Sequence, residues 1–151
     1  MKMVTGDQIV AEARTYLGTP YHHIGRLKGV GVDCIGLVTG VAQALGITYY
    51  DLLTYSRRPD GVTLMREFEK NLIKVTKEEG RAGDIGAFWF VGKAKLPCHA
   101  GIFTDHGLLH TYTNSGKVVE HVVNTFWAER TVQVFRFPGI VPSERKIQWP
   151  Q

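Results

Sequence analysis

The sequence predicts an α+β fold, and three observations carry that prediction. Helical periodicity dominates the first half of the chain. β-rich runs dominate the second half. The change falls at Arg81-Ala82-Gly83-Asp84. Helices that precede a series of strands argue for a segregated architecture with an antiparallel meander, not for alternating βαβ units.

The elements follow in order. Thr5-Gly6-Asp7-Gln8 has the form of a capping box, with Thr5 as N-cap and Gln8 at the third helical position. Ile9, Val10, Ala13, Tyr16 and Leu17 recur at helical spacing, and Gly18 can end that helix. Residues 19–32, with Pro20, Gly25, Gly29 and Gly31, read as a loop. A second helix is predicted from Cys34 to Leu45, with an apolar face of Leu37, Val38, Val41, Ala42 and Leu45, ended by Gly46. Val62, Met65, Phe68 and Leu72 predict a third, shorter helix. Strands are then expected at 85–91, 99–104, 108–112, 118–121 and 132–137, separated by Gly, Asp, Asn and Pro. The whole chain, 1–151, is read as one domain with an ordered core over about 5–140, and 142–151 is expected to be a poorly ordered tail.

With 44% hydrophobic and 21% charged residues, the composition excludes a disordered chain. The formal net charge of +4 favours an anionic partner. No helix-turn-helix, zinc-finger or aromatic RNA-binding motif accompanies it, so nucleic acid is not expected. Two cysteines, Cys34 and Cys98, do not make a disulfide framework. The N-terminal stretch from Met1 to Asp7 lacks an apolar signal core, and no run reaches the roughly 18 apolar residues of a membrane helix. The expectation is a chain made in the cytoplasm without a signal peptide and without a membrane span.

Val32-Asp33-Cys34-Ile35-Gly36-Leu37-Val38 carries the chemistry. Cys34 sits where a loop becomes an apolar helix. Amides and dipole at a helix start favour negative charge, which biases such a thiol toward the nucleophilic thiolate. Downstream, Pro97-Cys98-His99-Ala100-Gly101 and Leu108-Leu109-His110 supply two imidazoles, one to act as base and one to orient it. Their relative placement follows from the turn between them. With Asp105-His106 as a two-residue hairpin loop, Thr104 faces Gly107 and Gly101 faces His110. Period-two alternation then makes His99 and His110 diagonal neighbours, with Cα atoms roughly 7–8 Å apart. Cys98 falls on the opposite face of the strand from His99. His22, His23, His106 and His121 are read as surface or loop residues.

These segments resemble the NlpC superfamily of papain-like cell-wall peptidases. The matching stretches are Gly18-Thr19-Pro20-Tyr21, Asp33-Cys34-Ile35-Gly36-Leu37, Ala82-Gly83-Asp84-Ile85, His99-Ala100-Gly101-Ile102 and then His110, in family order. The resemblance implies a papain-like fold. It makes Cys34 the nucleophile, His99 the base and His110 the third polar residue of a catalytic triad. It gives Tyr21 a part in oxyanion support or substrate binding. It implies hydrolysis of peptidoglycan stem peptides, typically between D-γ-glutamate and diaminopimelate, with no metal and no cofactor. Two departures stand out. Ile35 replaces the usual serine, and His22-His23-Ile24-Gly25 replaces the usual Trp-Gly-Gly after the tyrosine. Both resemble the bacteriophage and prophage branch, which implies a tail setting, tail proteins as partners, and action on the periplasmic or external cell wall.

Three rival readings remain open on the sequence. Cys98, His99, His106 and His110 could ligate a metal, with His106 and His110 at His-x3-His spacing. The chain could be a non-catalytic tail-assembly or wall-binding component of the same fold. It could also keep the cysteine chemistry and act on a different amide.

Overall fold

A computed structural model describes residues 3–57 and 60–151. Met1 and Lys2, which open the stretch searched for a signal core, lie outside the described residues.

The first helix, α1 (Gly6–Arg14), starts from the predicted box: Thr5 Oγ1 accepts from the Gln8 amide at 3.1 Å, and Gln8 Oε1 accepts from the Thr5 amide at 2.9 Å. The chain leaves this region through Gly18 at φ +85°, a left-handed conformation open to glycine. The expected loop that follows contains a short antiparallel pair, β1 (Arg26–Leu27) and β2 (Gly31–Val32). Then come α2 (Cys34–Ala44) and α3 (Thr63–Asn71), both where the periodicity places them.

A six-stranded sheet makes up the rest. Its strands are β3 (Ile73–Val75), β4 (Ile85–Trp89), β5 (Pro97–Phe103), β6 (Leu108–His110), β7 (Val119–His121) and β8 (Thr131–Arg136), in the order β3-β8-β4-β5-β6-β7. The first four of the five predicted strands, β4 to β7, form a meander, and the fifth, expected at 132–137, does not continue it. The chain then returns through α4 (Thr125–Arg130), and β8 inserts between β3 and β4. The sequence did not indicate β3 or α4, each too short to show a period.

The sheet is covered on both faces. On one face the fully buried Leu37, Val38, Val41 and Ala42 of α2 join Ile9 and Ala13 of α1, with Ala100 and Ile102 of β5 beneath them. On the other, Phe88, Phe103, Leu108, Val134 and Trp127 form a second cluster. Burying a large aliphatic side chain is worth about 1.5–3 kcal/mol, so docking α2 is a main source of stability. Asp84, at the head of β4, is also buried. Arg136 donates to it at 2.9 and 2.8 Å, and the Arg81 amide at 2.7 Å. Among the described residues, no helix is long and apolar enough to cross a membrane.

The C-terminal segment corrects an expectation. Instead of trailing as a tail, it docks. Arg145 O accepts the Ala82 amide at 2.8 Å, Ser143 Oγ donates to Asp7 at 2.7 Å, Ile147 is buried, and Trp149 Nε1 donates to Lys77 O at 3.0 Å. Two isolated apolar residues in a polar stretch carry no period, so the anchoring was invisible in the sequence. Truncation before Glu144 should lower the unfolding free energy by about 1.5–3 kcal/mol through Ile147 alone. Urea denaturation measures this, and an unchanged midpoint would contradict the docking.

Candidate active site

Asp33 places the cysteine. As N-cap of α2 it accepts the Gly36 amide at 2.8 Å through Oδ1. Its Oδ2 accepts the Ile24 amide at 2.8 Å, and both Arg26 (3.0 Å) and the Tyr55 hydroxyl donate to the same carboxylate. Gly36 is required at the third helical position: a Cβ there would run into the Gly25 carbonyl. Arg26 reaches further, to Asp51 at 3.0 Å, to Leu52 O at 3.2 Å and to the Tyr55 hydroxyl at 2.9 Å. One arginine thus ties the β1 loop and the 51–55 segment to the start of α2. No period or spacing in the chain marks Arg26 or Tyr55. Only a charged residue in a glycine-rich loop hinted at a role.

Cys34 is half-buried and lines a cavity of about 170 Å³ with Tyr21, Ile35, Tyr49, Tyr55, Phe68 and Cys98 among its walls. The backbone amides of Ala100 and Ile35 lie near its sulfur and favour its anion, and Ala100 follows His99 on β5. Tyr21 is brought beside it: burial first, then the charge of Cys34, pushes the Tyr21 hydroxyl up, so that it stays protonated.

The expected thiolate bias is reversed in the resting site. Burial chiefly, and the Asp33 carboxylate next, push the Cys34 thiol up to about 12, against the two amides that favour the anion. A helix start is worth only about 0.3–1 kcal/mol to an anion, too little to offset removal from water.

His99 and His110 are brought together as the hairpin geometry predicts. The register pairs Ile102 with Leu109 and Phe103 with Leu108, and Thr104 N donates to Gly107 O at 2.8 Å. The loop is therefore Asp105-His106. The diagonal that results puts His99 Nε2 2.8 Å from His110 Nδ1. Both rings are sealed, at 2% and 0% exposure. Phe90 stacks on His99 with centroids 5.0 Å apart, and Trp127 of α4 stands edge-on to His110 at 4.6 Å. Burial pushes His99 down to about 3. Burial, with the neighbouring imidazoles behind it, pushes His110 down to about 2. Among the described residues no hydrogen bond joins the Cys34 thiol to the His99 ring. The cysteine meets the strand through the Ala100 amide, and Cys98 faces the cavity from the side opposite His99.

Of the other histidines, His22 is exposed and His23 lines the cavity edge-on to Tyr55 at 5.5 Å. His121, read as a surface residue, proves to be linked to the pair: its Nε2 lies 2.7 Å from His110 Nε2. Its signal was the equal spacing of positions 99, 110 and 121, which matches successive strands of a meander. Among the described residues, no group of three or more His, Cys, Asp or Glu side chains is arranged to hold a metal ion.

A cysteine at a capped helix start, set against an antiparallel sheet that carries paired histidines, defines the papain-like α+β class. The chain belongs to the NlpC/P60 family, whose model matches residues 18–136. It is 30% identical over 145 residues to the gamma-DL-glutamyl hydrolase of Bacillus subtilis, covering 92% of this chain and 31% of that protein. The chain thus spans about a third of the length of that curated relative. Among solved structures, the NlpC/P60 domain of the peptidoglycan hydrolase SagA superposes with a TM-score of 0.56 at 27% identity, covering 87% of this chain and 98% of that one. An NlpC/P60 family protein from Bacillus cereus gives 0.69 at 21% identity, covering 90% and 41%, and shows the shared fold.

The buried histidines set an acid limit on stability. An unfolded histidine titrates near 6.5, whereas these remain neutral in the fold down to about 3 and 2. Between those values the unfolded chain binds protons that the native state does not. Stability present above pH 6.5 is therefore lost as pH falls, at about 1.4 kcal/mol per pH unit per histidine. From pH 6.5 to 5 the pair should cost about 3 kcal/mol, since the unfolded rings are already half protonated at pH 6.5. Urea titrations at the two pH values test this against the double variant His99→Gln/His110→Gln, in which the fall should shrink by that amount.

Proposed function

We propose that this chain is a cysteine hydrolase of amide bonds in peptidoglycan stem peptides, at the D-γ-glutamyl-diaminopimelate linkage. The observation that carries the reading is the placement of the Cys34 sulfur: on a cavity wall, at a capped helix start, against the amide of the residue that follows His99. Two relatives support the substrate class by their names, a gamma-DL-glutamyl hydrolase and a peptidoglycan hydrolase.

In this mechanism Cys34 Sγ attacks the scissile carbonyl as its proton passes to His99. The oxyanion is met by the Cys34 backbone N–H, one of the amides that a helix start leaves unpaired, and by the protonated Tyr21 hydroxyl. His99 then protonates the leaving amine, and water hydrolyses the thioester. His110 holds the His99 ring through the 2.8 Å contact. Since thiol and imidazole both rest neutral, nucleophile formation is coupled to substrate binding, when water leaves the cavity and the sulfur approaches the carbonyl. The phage-tail setting, with tail proteins as partners and the cell wall as target, belongs to the same proposal and rests on Ile35 and His22-His23.

Incubation with defined stem-peptide fragments and mass spectrometry of the products is the test. The wild type should release the diaminopimelate-bearing fragment. Cys34→Ala should lower kcat by up to about 10⁶-fold with little change in stability. His110→Ala should lose less than His99→Ala, since His99 alone meets the thiol and the leaving amine. No release by the wild type from any stem peptide would overturn the peptidoglycan reading, and release of a different amide product would redirect it.

A further inference from the structure

The buried pair ends on a third ring. His110 Nε2 lies 2.7 Å from His121 Nε2, and His121 Nδ1 lies 2.8 Å from the Val122 carbonyl. β7 pairs with β6 so that His110 faces Val119, which puts His121 on the next diagonal. β7 is the sheet edge, and His121 is partly open to solvent. The three rings therefore run from a sealed interior to water.

The carbonyl fixes every proton in this row. An oxygen of that kind only accepts, so His121 Nδ1 carries the hydrogen. A neutral imidazole has one N–H, so His121 Nε2 is a lone pair and accepts from His110 Nε2–H. His110 Nδ1 is then a lone pair and accepts from His99 Nε2–H. His99 Nδ1 is left as the one unengaged lone pair of the row. It is the nitrogen free to take a proton from a thiol.

We propose that the three histidines act as a single base whose positive charge appears on His121. When His99 Nδ1 accepts the thiol proton, His99 Nε2 passes its own proton to His110 Nδ1, and His110 Nε2 passes its proton to His121 Nε2. One S–H and two N–H bonds break and three N–H bonds form, so that three protons each move one step outward. His99 and His110 end as neutral rings of the opposite tautomer, and His121 ends as an imidazolium. This rests on the cysteine-hydrolase reading and removes its main electrostatic difficulty, because the two sealed rings never hold the charge. His121 is in this sense a positioning residue, acting on the reaction through His110.

The surroundings of His121 suit the role. His110 faces it from β6. From α4 the uncharged ring of Trp127 lies against it, with centroids 6.0 Å apart. Glu120, adjacent on β7, points to the other face, where Arg14 and Thr104 hold it and His106 bears on it. Asp105, in the neighbouring loop, is paired with Arg14.

The test separates charge export from simple support. In His121→Gln the amide oxygen can still accept from His110 Nε2–H, so orientation is kept, but no proton can be taken up. We expect kcat to fall by about 10²-fold at unchanged KM. Alkylation of Cys34 by iodoacetamide, followed against pH, should shift to higher pH in this variant. Equal rates and superimposable pH profiles for wild type and His121→Gln would overturn the proposal. The alkylation arm needs no substrate. A shifted profile without turnover by the wild type would support the relay and sink the hydrolase reading instead. Should the variant fail to fold, ¹⁵N NMR of wild-type histidine rings decides. On acidification His99 and His110 should change from Nε2–H to Nδ1–H while neutral, in step with protonation of His121. Three independent titrations would overturn the relay.

Discussion

The buried carboxylate of Asp33 is the constraint on which the site depends. It caps α2, holds Ile24 in a left-handed turn at φ +58°, and takes Arg26 and Tyr55. Through Arg26 it fixes the 51–55 segment that walls the cavity. Removing one partner of such a buried pair generally costs about 3–5 kcal/mol, because an uncompensated charge remains. The same carboxylate works against the chemistry. It sits one residue from Cys34 and opposes ionisation of the thiol. Position and electrostatics are thus in conflict at residue 33, and position wins. For the proposed nucleophile, placement beside the Ala100 amide outweighs the loss of ionisation.

That conflict shapes the other half of the site. A thiol that rests neutral needs a base that can be charged, yet the aromatic cage of Phe88, Phe90, Tyr112 and Trp127 makes His99 a poor place for charge. The cage has its own purpose. It excludes water from the His99–His110 hydrogen bond, so the ring orientation is held by one geometry. A row of neutral rings that ends at a surface carbonyl reconciles the two demands, since a dry interior fixes direction and the wet end tolerates charge.

Much of this was legible in the sequence where local rules suffice. The Thr5 capping box, the start of α2 at Cys34, and the Asp105-His106 turn each depend on a few adjacent residues, and the turn alone determined the diagonal between His99 and His110. Features built from distant segments were not legible. Arg26 collects acceptors from positions 33, 51, 52 and 55, and no spacing announces this. Trp127 belongs to a six-residue helix too short for a period, and Ile147 anchors from a polar terminus. His121 lay on a predicted strand, but the turn before it, around Asn114 to Lys117, left its register undetermined. The thiol's acidity was misjudged for a related reason. A helix start is a local feature, whereas burial is set by everything packed around it.

Two of the departures from the common family pattern meet in one place. Ile35 and His23 both line the cavity that holds Cys34, whereas the matching segment 82–85 forms the turn into β4 and 99–102 lies in β5. A serine at position 35 would present a hydroxyl to the substrate. Isoleucine presents a methyl group and an unyielding β-branched surface. His23, held edge-on against Tyr55, adds an aromatic wall whose partner is itself fixed by Asp33 and Arg26. Fewer polar groups near the sulfur mean fewer hydrogen bonds to a polar substrate there, so selectivity shifts toward shape and toward the cavity's charged positions, Arg57 and Asp60 on the loop side and Glu67 on α3. Among the described residues, Glu67 Oε2 is buried without a hydrogen-bond partner, and Lys70 lies 3.7 Å from Oε1. The fold thus follows the family, and two of the chain's departures from its common pattern meet on the wall of one cavity.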